Sequence, residues 1–134
     1  MNKQVKSEYR VKNFGEVFTH EREIKAMLNL IPEGITIDMT FLEPTCGNGN
    51  FVIEILRRKF DLCKKKIDYI RALESVYAID LLADNVSECK QRVNELYHSY
   101  GQNGNIDFIL DTNIFQGNSL AVMKLLEKCS AHPN

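Results

Sequence analysis

The chain has 134 residues, and its 17 lysine and arginine side chains nearly balance its 18 acidic ones. This length suits one domain, and a net charge close to zero argues against a protein that binds nucleic acid through overall positive charge. The start of the chain lacks the apolar core of a secretory signal, and no apolar run approaches the roughly 18 residues of a membrane span. We therefore expect a cytoplasmic protein that has no contact with membranes.

Four cysteines are spread along the chain without a Cys-x-x-Cys pair: Cys46, Cys63, Cys89 and Cys129. Structural zinc sites need closely spaced cysteine or histidine ligands, so this spacing predicts no metal site. Isolated cysteines in a reducing compartment are expected to be small buried apolar residues. Two short basic runs, 57–59 and 64–66, are expected to lie on solvated helix faces, with phosphate binding as the alternative.

The first part of the chain divides into a polar start and a helix. Residues 1–12 are expected to be a flexible N-terminus, and residues 13–134 a single domain. Pro32 to Gly34 is expected to end the helix. The helix is predicted after Thr19, its expected N-cap, because apolar side chains recur three and four positions apart: Ile24, Met27, Leu28 and Ile31.

The remaining segments alternate between strand-like and helix-like patterns. Gly101 is in place to close the fourth of the predicted helices. The alternation predicts an α/β fold with about three parallel strands and flanking helices. Strands are predicted at 35–42, 75–80 and within 106–116, and the further helices from 51, at 64–73, at 86–100 and at 120–129.

The segment between the first strand and the next helix reads Phe41-Leu-Glu-Pro-Thr-Cys-Gly-Asn-Gly-Asn-Phe51. A strand that runs through a glycine turn into a helix can bring backbone N–H groups close to a ligand. This segment is not a dinucleotide fingerprint, because Val52 stands at the third glycine position, and it lacks the Gly-Lys-Ser/Thr of a phosphate-binding loop. The glycines alone leave a ligand-binding turn and a purely structural turn equally open.

Two acids are predicted to lie at the ends of neighbouring strands. Asp80 ends the second strand, where its carboxylate can accept hydrogen bonds from both hydroxyls of a ribose, or can instead cap the following helix. Glu43 ends the first strand, beside the glycine turn. Two carboxylates at adjacent strand ends repel bare phosphates and suit an ammonium or sulfonium group. The pair therefore favours S-adenosylmethionine over NAD as the ligand.

Four segments occur in a defined order along the chain: Asn13-Phe-Gly-Glu-Val-Phe-Thr19, Glu43-Pro-Thr-Cys-Gly-Asn-Gly-Asn-Phe51, Val76-Tyr-Ala-Ile-Asp80 and Gln116-Gly-Asn-Ser-Leu120. Together they resemble the adenine-N6 DNA methyltransferases of restriction–modification systems. The resemblance implies an α/β fold with a Rossmann-like class-I methyltransferase sheet, here incomplete, over residues 13–134. It also implies S-adenosylmethionine as the cofactor and DNA as the partner of the complete enzyme.

The resemblance also implies which residues contact the methyl donor. Phe18 and Thr19 would help to hold the donor, the glycine turn would hold its amino-acid part, Asp80 its ribose, and segment 116–120 its adenine ring. The cofactor-binding residues implied in this way are Phe18, Thr19, Glu43, Pro44, Thr45, Cys46, Gly47, Asn48, Gly49, Phe51, Asp80, Leu81, Asn118 and Leu120.

The chain departs from the family's pattern at three places. His20 stands where proline is usual, and Asn118 stands where aspartate is common. An asparagine carbonyl can still accept a hydrogen bond from the adenine amino group, without the charge. The family's catalytic Asp/Asn-Pro-Pro-Tyr/Phe motif is absent, so we assign no catalytic residue and expect donor binding without turnover from this chain alone.

The resemblance further implies that a fourth strand would pair with the first, which leaves the first strand at an open sheet edge. We expect self-association, or a second polypeptide that carries the missing strands and motif, to complete this edge. Two other functions stay open. One is a non-catalytic module that binds S-adenosylmethionine or a nucleotide, and the other is a class-I methyltransferase for a small molecule or protein.

Overall fold

A computed structural model describes residues 20–130, apart from the side chains at positions 123, 126, 129 and 130. The expected flexible start at 1–12 lies outside the described residues, as do Phe18 and Thr19. The elements in chain order are α1 (Glu21–Leu28), β1 (Phe41–Glu43), α2 (Asn50–Leu62), α3 (Lys66–Glu74), β2 (Val76–Asp80), α4 (Ala83–Ser99), α5 (Asp107–Asn113), β3 (Ile114–Gln116) and α6 (Ser119–Ser130).

The three strands form one parallel sheet in the order β1-β2-β3. This confirms the predicted α/β fold with about three parallel strands and flanking helices. The arrangement is consistent with a Rossmann-like fold, although several unrelated fold families share it. In the part of the chain that the structure describes, none of the helices combines the length and apolar character that crossing a membrane requires.

The two faces of the sheet differ in how deeply they are buried. Val76, Ala78 and Ile114 lie on one face, and all three belong to the apolar core formed with the helices. On the opposite face, Leu42 pairs in register with Tyr77, and these side chains are 43% and 39% exposed. The main apolar core therefore sits on one side of the sheet, since side chains alternate between the faces along each strand, although Ile79 on the face of Tyr77 is also buried.

Helix α1 begins one residue later than the sequence predicts, because His20 rather than Thr19 occupies the N-cap position. Ile24 and Leu28 are buried as expected, whereas Met27 is 52% exposed. In α3 the buried positions are Tyr69, Ala72 and Leu73, whereas Ile67, which lies at helical spacing from Leu73, is 56% exposed. Helical spacing identified these elements, but packing against neighbours decided which flank of each apolar stripe is covered.

Helix α4 follows its prediction most closely. Val86, Cys89 and Val93 are buried along one face, as their spacing predicts. Gly101 follows the helix with a positive φ of 78°, so glycine suits this left-handed position after the C-cap Tyr100. The stripe places α4 against α2 and the sheet, next to the glycine turn.

Two segments differ from their predictions. Strand β1 covers only Phe41–Glu43 instead of 35–42, because the carbonyls of Ile37 and Met39 accept hydrogen bonds from the Lys59 amine rather than from a neighbouring strand. The predicted strand region 106–116 contains helix α5 before the short β3. Helix α5 was not predicted from the sequence, because it has only seven residues, too few to show a clear helical period.

Lys59 contradicts the expectation that the run 57–59 lies on a solvated face. Its side chain is fully buried, and its amine donates to Ile37 O at 2.8 Å, to Met39 O and to Ser75 Oγ at 2.7 Å. Burial lowers the pKa of this amine to about 8. Lys59 therefore fastens the loop before β1 to the start of β2, at the sheet end opposite the carboxyl ends of the strands.

Candidate functional site

The carboxyl ends of the three parallel strands meet at one edge of the sheet, where open α/β sheets bind their ligands. Glu43 ends β1, Asp80 ends β2 and Gln116 ends β3. The glycine turn, residues 44–49, leaves β1 at this edge and leads into α2. The structure thus brings together the turn and both acids that the sequence singled out.

The glycine turn is anchored to β2 by backbone geometry. Cys46 N–H donates to Ile79 O at 2.8 Å, and Gly47 N–H donates to Asp80 Oδ2 at 2.9 Å. Gly47 and Gly49 both have positive φ, 53° and 97°, which L side chains rarely adopt. The turn is therefore held in one shape by the strand that carries the site's second acid.

The absence of a side chain at Gly49 has a packing reason. A Cβ atom placed there would lie 2.9 Å from Cys89 Sγ and 3.3 Å from Cys89 Cα, on helix α4. Gly49 was expected to make room for a ligand, but in this structure the space is filled by α4. Gly47 remains the glycine whose amide faces the acid of the site.

The thiol of Cys46 is only 5% exposed and lies beside Cys89. The neighbouring Cys89 thiol and burial of the side chain raise the pKa of Cys46 far above its ordinary value, and its S–H donates to Gly47 O at 3.7 Å. The thiol thus stays protonated and packs inward. The backbone N–H of Cys46 is bonded to Ile79 O and its carbonyl accepts from Gly49 N–H at 2.9 Å, so only the second lone pair of that carbonyl is left for a ligand.

Asp80 is 8% exposed, and its carboxylate accepts three hydrogen bonds. Oδ2 accepts from Gly47 N–H, while Oδ1 accepts from Leu82 N–H at 2.9 Å and from Asn85 Nδ2 at 3.2 Å. The bond to Leu82 fixes the entry into α4, but Leu82 is the N-cap residue of that helix, so Asp80 does not occupy the capping position that the sequence left open. A carboxylate offers about four acceptor positions, so Oδ2 keeps one for a ligand hydroxyl.

Glu43 is half-buried at the end of β1. Its Oε1 accepts a hydrogen bond from Thr45 N–H at 3.2 Å, so the side chain folds back over the start of the turn. Burial raises the pKa of Glu43 above its ordinary value, and the bond from Thr45 offsets part of this shift. A partly desolvated carboxylate of this kind is stabilised by a cationic ligand group.

At the end of β3 the predicted adenine contact has another role. Asn118 Oδ1 accepts from Leu120 N–H at 3.0 Å and from Ala121 N–H at 3.4 Å, which caps helix α6. That oxygen is already engaged, so it is not free to accept from an adenine amino group in this conformation. Leu120 and Leu81 are 68% and 50% exposed, so both present apolar surface at the sheet edge.

Two residues of the site were missed from the sequence, and both lie on α4. Asn85 is fully buried and donates to Asp80. Arg92 donates from one terminal nitrogen to Asn48 O at 3.0 Å and to Asn50 Oδ1 at 2.8 Å. Both lie on or beside the face marked by the apolar stripe of α4, so helical spacing was the signal that could have found them.

Of the predicted cofactor contacts, the described residues cluster at the strand ends, and Phe18 and Thr19 lie outside the described part of the chain. Within residues 20–130, no three His, Cys, Asp or Glu side chains converge as a metal ion would require. Comparisons with protein-family models, with curated proteins and with solved structures return no match.

Proposed function

We propose that this chain is the S-adenosylmethionine-binding portion of an adenine-N6 DNA methyltransferase of the restriction–modification type. The observation that carries the proposal is the hydrogen bond from Gly47 N–H to Asp80 Oδ2, at 2.9 Å. It joins the glycine turn to the acid at the next strand end, so the two groups assigned to the donor form one structural unit. The proposed family rests on the order of the four sequence segments, which resembles that of the adenine-N6 DNA methyltransferases.

The charges at this edge suit a zwitterionic ligand. The carboxylate of Glu43 is placed to favour the ammonium and sulfonium of the donor, since its burial leaves it short of solvation. The N-terminus of α2 and the Arg92 guanidinium give positive potential on the other side of the turn, where a carboxylate is favoured. Among the described residues at this edge, a diphosphate would instead meet two acids and one arginine.

In the complete enzyme, the adenine N6 would attack the donor's methyl carbon in line with the bond to sulfur. The carbon–nitrogen bond would form as the carbon–sulfur bond breaks, the sulfonium would become a thioether, and N6 would release a proton to water. Positioning supplies most of the acceleration in such a transfer. This chain contributes the donor side, because the sequence lacks the Asp/Asn-Pro-Pro-Tyr/Phe motif that would hold the adenine.

The direct test is isothermal titration of the chain with S-adenosylmethionine and S-adenosylhomocysteine. We expect micromolar binding by the unchanged chain and at least about tenfold weaker binding after Asp80→Ala. Because Asp80 also holds the turn and α4, Glu43→Gln is the second variant. We expect it to weaken the binding of S-adenosylmethionine, which carries the sulfonium, more than the binding of S-adenosylhomocysteine. Asp111→Ala, at an exposed position on α5, is the charge-matched control. A folded chain that binds neither ligand contradicts the proposal.

A non-catalytic module that binds S-adenosylmethionine or a nucleotide is the second candidate, because the Gly47–Asp80 hydrogen bond and the half-buried Glu43 concern ligand binding rather than a chemical step. Titration with ADP separates a general nucleotide site from a donor site, because the two acids should exclude a diphosphate. Supplying a polypeptide that carries the missing motif, with DNA and labelled donor, separates a methyltransferase part from a module. Methyl transfer to adenine that depends on both chains is expected from the first proposal alone.

A separate proposal concerns the partners of this chain, and it rests on the edge of β1. Among the described residues, β1 pairs on one side only, with β2, and Leu42 is exposed. We propose that a strand of a second copy, or of a second polypeptide, pairs with this edge. Light scattering after size exclusion is expected to show a complex that Leu42→Lys weakens and that Leu30→Lys, at another exposed leucine, leaves intact. A monomer at high concentration that also fails to bind the motif-bearing polypeptide would contradict it.

A further inference from the structure

Arg92 makes a contact with the glycine turn that no sequence motif points to. It lies on α4, half-buried, and one terminal nitrogen donates to Asn48 O at 3.0 Å and to Asn50 Oδ1 at 2.8 Å. The two acceptors flank Gly49, the residue with the larger positive φ in the turn. A single guanidinium therefore holds the turn on both sides of its most constrained residue.

The same helix fixes the turn a second time. Cys89, three residues before Arg92, packs against the place where Gly49 has no side chain. Positions three apart lie on one face of a helix, so α4 holds the turn by a packing contact and by two charge-assisted hydrogen bonds. The packing contact sets how close the turn comes to α4. The hydrogen bond to Asn48 O sets the orientation of the peptide unit before Gly49, and the one to Asn50 Oδ1 holds the side chain that follows Gly49.

We infer that Arg92 is a positioning residue for the amino-acid half of the methyl donor, an inference that rests on the proposed function. It acts through Asn48 and Asn50, which it holds so that the turn and the first amides of α2 face the donor's carboxylate. Its positive charge beside the α2 N-terminus adds to the potential that favours this carboxylate. The nucleoside half of the donor is held at the end of β2 and does not depend on these hydrogen bonds.

The test compares a ligand that has the amino-acid half with one that lacks it. S-adenosylhomocysteine and methylthioadenosine share the nucleoside and the sulfur, and only the former carries the amino and carboxylate groups. We expect Arg92→Met to lower the affinity for S-adenosylhomocysteine about tenfold and the affinity for methylthioadenosine by less than about twofold. Arg92→Lys should restore much of the lost affinity, because it keeps a charged donor near Asn50. Lys90→Met, which removes a charge from the same helix, is the control.

Each outcome decides the inference. Equal weakening of both ligands by Arg92→Met means that Arg92 only stabilises the fold, and it overturns the positioning role. Unchanged affinity for both ligands overturns it as well. If the unchanged, folded chain binds neither ligand, the proposed function fails together with the inference. If the unchanged chain binds both ligands and Arg92→Met lowers both affinities equally, the inference about Arg92 is wrong but the proposed function stands.

Discussion

Gly49→Ala is expected to destabilise the fold by about 2–4 kcal/mol in urea unfolding. The residue has a φ of 97°, a region that costs an L side chain roughly 1–2 kcal/mol. The new Cβ would also lie 2.9 Å from Cys89 Sγ and 3.3 Å from Cys89 Cα, so α4 must shift or the turn must open. Because the turn belongs to the candidate site, the proposed binding of S-adenosylmethionine should also weaken.

Gly101→Ala is the matched control for this change. Gly101 also has a positive φ, 78°, but a Cβ placed there has no neighbouring atom within 4 Å. We expect it to cost only the conformational penalty of about 1–2 kcal/mol. Adding Cys89→Ala to Gly49→Ala should recover part of the difference, since it removes the nearest clashing atom. Equal costs for the two glycine substitutions would refute the packing explanation of Gly49.

Lys59→Met is expected to lower the free energy of unfolding by about 2–4 kcal/mol near neutral pH. Methionine fills much of the same buried space but lacks the amine. Ile37 O, Met39 O and Ser75 Oγ would then lose the donor that they share. Buried acceptors without a donor are costly, and two of these three set where β1 can begin.

The effect of Lys59 should also depend on pH. Burial lowers its pKa from 10.5 to about 8 in the folded chain. Between these values the unfolded chain binds more protons, so the contribution of this group to the free energy of unfolding rises with pH. The stability difference between the unchanged chain and Lys59→Met should therefore widen by on the order of 1–3 kcal/mol between about pH 7 and about pH 10.

Urea unfolding of both proteins at the two pH values measures this difference directly. Burial raises the pKa of Cys63 to about 11 and, with a bond to Asp61, that of Tyr100 to about 12, but these groups are present in both proteins and largely cancel. Lys64→Met, at an exposed lysine, should change stability little at either pH. A difference that stays constant or narrows as pH rises would contradict the account of Lys59.

The hydrogen bonds around Asp80 give the site a specific constraint. The carboxylate joins the glycine turn to the start of α4 through Gly47, Leu82 and Asn85. A ligand with two ribose hydroxyls would use the remaining acceptor position on Oδ2 and compete with one existing bond. The turn and α4 are also joined by the hydrogen bonds of Arg92 and by the packing of Cys89 against Gly49.

Local patterns in the sequence were enough to predict the parallel α/β architecture, β2 and the helices α2 and α4. Their apolar residues recur with the period of the element, and this signal needs no knowledge of distant contacts. The end of α4 at Gly101 was also predictable from the local sequence, because glycine is the common residue just after a helix. The two acids at the strand ends followed from the order of strands alone, because the carboxyl ends of parallel strands meet at one edge.

The tertiary structure decided what depends on partners far along the chain. Lys59 stands in a basic run that reads as exposed, yet the carbonyls it binds lie about 20 residues away, and they shorten β1. The missing side chain of Gly49 is explained only by Cys89, and the hold on the turn by Arg92, both on α4. The sequence by itself determined most of the elements and their order, since these follow from local periodicity, but it revealed neither the short helix α5 nor the bounds of β1. Which buried polar group meets which backbone atom was decided only when the helices packed on the sheet, because such pairings have no periodicity to read.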